Sequence, residues 1–429
     1  MSATSVTSHV FKFGGAALSN ADAIKNVVQI IAEHPSRALV VVVSAMGKMT
    51  NQLEKLIEAH TNDDVKRRDT ELEIFFKYHD DIVNNLFELQ SHPVYQDIHN
   101  LKTTMRWSLD EHLSSADAVY DQLIVFGELF SSTIVFHALC LNRINALYVD
   151  IRNVFKTDDH YRDAAVDLDY SEARAIEVIQ PILSNHIVVT QGFIGSTSDN
   201  YSTSLGREGS DYSAALLANF LNAQQLTVWK DVPGVLNADP RYFQNARLIE
   251  QLNYQDAVEL TYYGATVLHP KTIKPLQNKA IPLYVRSFLD LNHTGTCISN
   301  YAYATYKPKS SYILKKNLVL ITAQRNDLSF ITEAHISMIY HLLWMKRAKI
   351  HVMQISAVSF SFCCDRFTDM DTFIEELSHS YTVKYNSPVQ LLTIRNYQES
   401  KSAQVLEGKT ILLEQRSRQT CQFVLPDDV

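Results

Sequence analysis

Glycine is scarce in this chain, and its placement constrains the fold. Only 12 of 429 residues are glycine, about 3% against a usual ~7%. Such a chain keeps glycine where backbone geometry demands it. Gly14, Gly15, Gly47, Gly127, Gly192, Gly195, Gly206, Gly209, Gly234, Gly264 and Gly295 precede residue 300, and only Gly408 follows. Most fall at the ends of strand-like runs or in turns that open helices. A phosphate site built from backbone N–H groups needs that placement.

The order of elements points the same way. Val10–Phe13 is a short apolar strand that runs into Gly14-Gly15. A helical pattern follows, with Ser19 or Asn20 as cap and Ile24, Val27, Val28 and Ile31 on one face. Ala38–Val43 is a continuous, mostly β-branched run, as in a strand buried on both faces. Ser44–Gly47 turns, and a second helix begins near Thr50. Strand–loop–helix repeated twice predicts an α/β fold with a parallel sheet. Residues 61–142 read as a helical insertion whose five histidines form no HExxH pair. Strand-like runs return at Ala146–Val149, Ile187–Thr190, Leu226–Trp229 and Ile281–Val285. The segment 300–311 reads as a linker. Beyond it the pattern is β-α-β-β-α-β, a ferredoxin-like unit. Three more strand-like runs follow, at Gln390–Arg395, Thr410–Glu414 and Cys421–Leu425, with no long helix expected among them.

Composition excludes several classes. Hydrophobic residues make up 46% of the chain, which rules out extended disorder. Lys and Arg number 39 against 47 Asp and Glu, a net charge of -8. A bulk basic surface for nucleic acid is therefore not expected. The longest apolar run, near Ala38–Met46, falls short of the ~20 residues that span a bilayer, so no membrane segment is expected. The first residues lack the basic start and apolar stretch of a secretory signal. Five cysteines without a CxxC pair fit a reduced, cytoplasmic setting. Adjacent Cys363 and Cys364 read as strand residues.

Three segments carry chemistry. No Walker A loop is present: the nearest, at Gly47-Lys48-Met49-Thr50, lacks a hydroxyl after the lysine and has Val42 at the first glycine position. The first segment is Lys12-Phe13-Gly14-Gly15. Its paired glycines let the backbone approach a phosphate, and its lysine can add charge to a transferring group. The second runs from Val189 through Gly195 to Tyr212. Arg207 sits there in a glycine-rich turn before a helix opening at Ser210-Asp211, suited to gripping a carboxylate. The third runs from Trp229 to Arg241. It ends a strand in Lys230-Asp231 and turns at Pro233-Gly234, where a sheet's carboxyl edge meets ligands.

Together these segments strongly resemble the aspartate kinases of the amino-acid-kinase superfamily. The pieces are KFGG at 12–15, SAMGKMTN at 44–51, GE at 127–128, VTQGFIG at 189–195 and SLGREGSDYSAALLA at 204–218. WKDVPGVLNADPR at 229–241 and YGATVLHPKT at 263–272 complete them. The resemblance implies an amino-acid-kinase fold, an open and mainly parallel sheet between helices, over residues 1–300. Over 301–429 it implies α+β ACT units, one complete and one reduced. It implies a phosphotransferase that converts ATP and L-aspartate to ADP and 4-phospho-L-aspartate, with Mg²⁺ held largely by phosphate oxygens. That reaction opens lysine, threonine and methionine biosynthesis. By similarity, Lys12 stabilises the transferring phosphoryl group and Gly14 and Gly15 line the phosphates. Ser44 and Asp211 organise the same centre. Thr50, Glu128, Arg207 and Ser210 fall on aspartate-binding positions, Glu128 meeting the ammonium and Arg207 the α-carboxylate. Lys230, Asp231, Leu236, Arg241 and Thr266 fall on ATP-binding positions. No metal-ligand set is assigned to side chains. The partners implied are L-aspartate, ATP, an amino-acid effector (lysine or threonine) at the ACT region, and a second copy of the chain in a homodimer through ACT units.

Departures from the family pattern qualify this. Ala16 and Ala17 stand where many members have Thr-Ser, and Thr266 where many have lysine, which bears on nucleotide affinity. A glycine-rich turn seen at many effector sites is absent near Arg325–Phe330, so feedback inhibition is expected to be altered or lost. Two other readings stay open: an enzyme of the same fold with another carboxylate acceptor, and a catalytically silent amino-acid sensor. Retention of Lys12, Glu128, Arg207 and Asp211 argues against the sensor.

Overall fold

The computed structural model describes residues 8–34, 36, 38–111, 113, 115–265, 269–301, 306–399 and 405–427. They divide into two compact units. The first comprises residues up to 235, 248–258 and 267–306; the second comprises 236–247, 259–266 and 307–429. Two segments of the first 300 residues are thus grouped with the C-terminal unit.

In chain order, the first 300 residues form β1 (His9–Phe13), α1 (Ala21–Glu33), β2 (Leu39–Val43), α2 (Met49–Thr61), α3 (Val65–Leu86), α4 (Pro93–Asp110), α5 (Ala116–Ile124) and α6 (Phe126–Leu141). Then come β3 (Ala146–Tyr148), α7 (Leu168–Val178), β4 (Ile187–Gln191), β5 (Ile194–Ser196), β6 (Ser202–Ser204), α8 (Gly209–Phe220) and β7 (Gln225–Lys230). β8 (Gln251–Asn253), α9 (Tyr254–Tyr263), α10 (Pro270–Asn278), β9 (Leu283–Ser287) and β10 (Thr296–Ser299) complete them.

Eight strands form one sheet in the order β3-β4-β2-β1-β7-β9-β10-β8. All neighbours are parallel except β9 and β10. The fold class expected from the sequence is therefore observed. β1 lies at the centre between β2 and β7, with Lys12 opposite Val42 on one side and Val228 on the other. Every residue of β2 is buried, as its unbroken apolar run requires of a strand covered on both faces. α1 opens at Asn20, whose side chain accepts from the N–H of Ala23, satisfying one of the helix's free donors.

Residues Ala116–Leu141 are long and apolar enough to cross a membrane by length and composition. Ser131, Ser132, Thr133 and His137 interrupt its apolar residues, so it holds no long continuous apolar run. Within this stretch 89% of the most apolar window is buried in the protein, as in a core helix.

The second unit carries β11 (Ser311–Arg325), α11 (Glu333–Met345), β12 (Ile350–Ile355), β13 (Ser359–Asp365), α12 (Met370–Ser378), β14 (Tyr381–Arg395), β15 (Leu413–Arg416) and β16 (Thr420–Pro426). Its six-stranded sheet runs β12-β13-β11-β14-β16-β15, and every pairing is antiparallel. The β-α-β-β-α-β order is borne out. The short runs Thr382–Tyr385 and Gln390–Arg395 are halves of one strand, β14, which pairs with β11 along almost its whole length. Long-range pairing joins what local pattern separates. Cys364 packs into a core with Phe360, Phe362 and Phe373, and Cys363 into another with Leu318 and Val424. Between β14 and β15, Glu399, Val405 and Leu406 are helical, and residues 400–404 lie outside the described ones.

Candidate active site

The carboxyl ends of β1 and β7 bring Lys12 and Lys230 onto adjacent strands. Asp211, in the first turn of α8, faces both. Its Oδ1 lies 2.5 Å from Lys12 Nζ, and its Oδ2 accepts from Lys230 Nζ at 3.2 Å. Asp211 is fully buried and Lys12 is only 5% exposed. Burial alone would raise the Asp211 pKa; Lys12 and Lys230 together outweigh it and hold the carboxyl below its ordinary range. Burial would lower Lys230, and Asp211 reverses that too. The cluster holds two ammonium groups against one carboxylate. Its net charge is positive and it is shielded from water, the condition under which a fixed charge acts most strongly on an anion.

Backbone contact explains the glycines here. The N–H of Gly47 donates to the Gly15 carbonyl at 2.9 Å. A Cβ on Gly15 would sit 2.6 Å from the Gly47 oxygen and 2.7 Å from that of Ala45. The loops after β1 and β2 are pressed together main chain to main chain, which only glycine permits.

A cavity of about 440 Å³ opens beside the cluster. Lys12, Ser44, Thr50, Glu128, Arg207, Ser210 and Asp211 all line it. These are all the residues the sequence assigned to catalysis and aspartate binding. Ser44 follows β2, Thr50 lies in the first turn of α2, Glu128 in that of α6, and Ser210 and Asp211 in that of α8. Helix N-termini converge there and carry partial positive charge. Glu128 is 4% exposed, and its Oε1 accepts from the N–H of Ala45 at 3.1 Å. Burial pushes its carboxyl up to about 8, against the pull of the Ala45 N–H and of Lys12. Arg207 is exposed and makes no ion pair or hydrogen bond to another described residue, so its fork of donors is available.

The nucleotide-binding expectations are spread more widely. A Cβ on Gly14 would lie 3.6 Å from Lys12 Nζ, and Lys230 pairs with Asp211. Asp231 is exposed in the turn after β7. Leu236 and Arg241 belong to the second unit, where the Arg241 guanidinium forks onto both oxygens of Asp239 at 2.6–3.0 Å. Thr266 lies outside the described residues. Among the described residues, no group of three or more His, Cys, Asp or Glu side chains could hold a metal ion.

The cavity also contains residues that sequence reasoning missed: Glu54, Tyr120, Arg162, Phe193 and Glu208. Phe193 and Glu208 were inside quoted motifs and received no role. Tyr120 and Arg162 carried no motif, and only the fold brings their segments to the cavity.

The amino acid kinase family model matches residues 9–287. The chain belongs to the amino acid kinase family. It falls among that family's aspartokinases. It is 30% identical to lysine-sensitive aspartokinase 3 of Escherichia coli over 363 residues, 83% of this chain and 78% of that one. It is 32% identical to the chloroplastic bifunctional aspartokinase/homoserine dehydrogenase 2 of Arabidopsis thaliana over 332 residues, 73% of this chain. The match spans only 35% of that relative's length. The fold is similar to that of E. coli aspartokinase III with lysine and aspartate: TM-score 0.84 at 27% identity, covering 98% of this chain and 96% of that one. The same enzyme with aspartate and ADP gives a TM-score of 0.78 at 26% identity, with the same coverage.

Proposed function

We propose that this family member is an aspartate kinase, transferring the γ-phosphoryl group of ATP to the β-carboxylate of L-aspartate. The observation that carries this reading is the buried Lys12–Asp211–Lys230 cluster opening into a cavity that holds Glu128 and Arg207. The E. coli enzyme solved with aspartate and ADP supports it.

The acceptor carboxylate has an ordinary pKa near ~3.9 and is ionised at neutral pH, so a strong general base is unnecessary. The obstacle is charge, because an anion attacks a polyanion. A carboxylate oxygen forms the new bond to Pγ, the bond from Pγ to the β–γ bridging oxygen breaks, and ADP leaves with that electron pair. Lys12 would neutralise the charge on the transferring oxygens. Asp211 would keep Lys12 and Lys230 aimed, and Lys230 would meet the nucleotide. Asp231, Leu236, Arg241 and Thr266 complete the nucleotide reading by similarity, with Gly14 and Gly15 giving main-chain access to phosphates. Glu128 would bind the aspartate ammonium, Arg207 the α-carboxylate, and Ser44, Thr50 and Ser210 the remaining oxygens. Both oxygens of Asp211 face lysines, so this carboxylate is not free for a metal. Mg²⁺ would arrive on the nucleotide, whose phosphates and waters supply its ligands.

The C-terminal unit would be regulatory, and residues 301–429 its ACT-like portion. We infer a homodimer through this unit, because Tyr340, Trp344, Met353 and Ile355 are exposed apolar residues on α11 and on edge strand β12. Lysine, present in one E. coli structure, and threonine are the effectors to test. With no glycine-rich turn at Arg325–Phe330, weakened or absent inhibition is expected, and inhibition below 1 mM would overturn that. A cytoplasmic location belongs to the same reading, and cell fractionation tests it.

The deciding experiment measures ADP release with MgATP and L-aspartate, with hydroxylamine present to trap the acyl phosphate as hydroxamate. Aspartate-dependent ADP with matching hydroxamate is expected. Turnover only with another amino acid would discard the substrate and keep the reaction class. Amino-acid binding without turnover on any acceptor would favour a sensor.

A further inference from the structure

The cavity wall carries a second arginine besides Arg207. Arg162 lines it from the loop between β3 and α7. Its backbone is left-handed, with φ 72°, a conformation that non-glycine residues rarely adopt. Such a residue persists when its surroundings over-determine it, and functional sites are where this is most often found.

Here the surroundings are explicit. Asp121, in α5, is fully buried. It accepts from the N–H of Arg162 at 3.0 Å, the N–H of Ser204 at 2.7 Å and the hydroxyl of Ser204 at 2.6 Å. The N–H of Ala164 donates to the Ser204 carbonyl at 2.9 Å. The Arg162 loop is thereby tied to the end of β6, three residues before Arg207. One buried carboxylate anchors the segments that carry both cavity arginines.

The Arg162 side chain is restrained as well. Its guanidinium lies 4.1 Å from the centre of the Tyr120 ring. One N–H reaches Asp117 at 3.3 Å. Stacking orients a guanidinium without consuming its in-plane donors, so several remain for a ligand.

We propose that Arg162, held at the cavity wall by Asp121 and Tyr120, joins Arg207 in binding the non-reacting carboxylate of the acceptor amino acid and so helps to set acceptor specificity. This rests on the cavity being the acceptor pocket. Lys12 and Lys230 are left to the phosphoryl group, so loss of Arg162 acts on acceptor binding and spares nucleotide binding.

Arg162→Gly tests this. Glycine accepts φ 72° without strain and keeps the N–H that Asp121 needs, so the fold is retained. Arg162→Lys keeps the charge and loses the fork. The expected result is a KM for aspartate raised about tenfold in Arg162→Gly, with kcat within about twofold. KM for ATP should be unchanged, and Arg162→Lys should fall between. An unchanged aspartate KM overturns the inference. So does an equal loss in all three parameters, which marks a structural role. Absence of aspartate-dependent turnover in the wild type would instead overturn the function. Calorimetry with aspartate and glutamate then decides Arg162 separately. About tenfold weaker binding to Arg162→Gly supports the inference, and equal or absent binding overturns it.

Discussion

Lys12 and Glu128 are both buried at one cavity wall. Lys12 is held against a carboxylate at 2.5 Å. That contact fixes its Nζ in a dry site, where a phosphoryl group would meet it. Lys12→Ala should cost on the order of 10²–10³ in kcat while leaving KM for aspartate within a few-fold, as steady-state kinetics would show. Wild-type turnover in that variant would remove Lys12 from the mechanism. Glu128 has no buried cation as its main partner, and burial lifts its carboxyl from 4.5 to about 8. The folded state therefore binds more protons than the unfolded state between those values. Stability falls as pH rises through that window. Aspartate binding reverses the preference, since an ammonium needs the carboxylate. KM for aspartate should fall as pH rises from 6 towards about 8. Glu128→Gln should flatten the pH dependence of both stability and KM, with aspartate binding much weaker throughout. A KM independent of pH in the wild type would exclude Glu128 as the ammonium partner.

The decisive element is α8. Its first turn carries Ser210 and Asp211, and its start is set by close approach to the segment after β4. A Cβ on Gly192 would stand 2.6 Å from the Cβ of Ser210 and 2.7 Å from its Cα. Both are fixed atoms of a helix start, so the helix must move. Gly192→Ala should destabilise the protein by about 1–3 kcal/mol, and its activity should drop further than stability explains. Chemical denaturation and kinetics on the same preparation would check this, and a variant as stable and active as wild type would refute the packing argument. At this scale the sequence was legible in part. The unbroken β2 run, the Asn20 cap and the glycine pairs each state a local requirement that the fold honours. The divided reading of β14 missed because a 15-residue strand is held by pairing with β11, distant in sequence.

At the scale of the whole molecule, exposed apolar groups bear on assembly. Trp344 is 73% exposed and Ile355 53%, and the Tyr340 hydroxyl lies 3.3 Å from Met353 Sδ, so α11 and β12 present neighbouring apolar groups. Trp344→Glu combined with Ile355→Glu should convert a dimer to a monomer in sedimentation while each protomer keeps its helix content. A dimer that survives both changes would place the interface elsewhere.

The sequence by itself determined the parts of the candidate site: a lysine near the end of the first strand, glycines where main chains meet, and Ser210-Asp211 opening a helix. Those are local demands of backbone sterics and charge, written in consecutive residues. Tertiary structure alone decided which distant groups share the cavity. Asp121 and Ser204 lie 83 positions apart, and Tyr120 meets Arg162 only because their segments pack together. Burial also set the ionisation of Glu128. No residue string encodes a local dielectric, because exclusion of water depends on everything folded around the group.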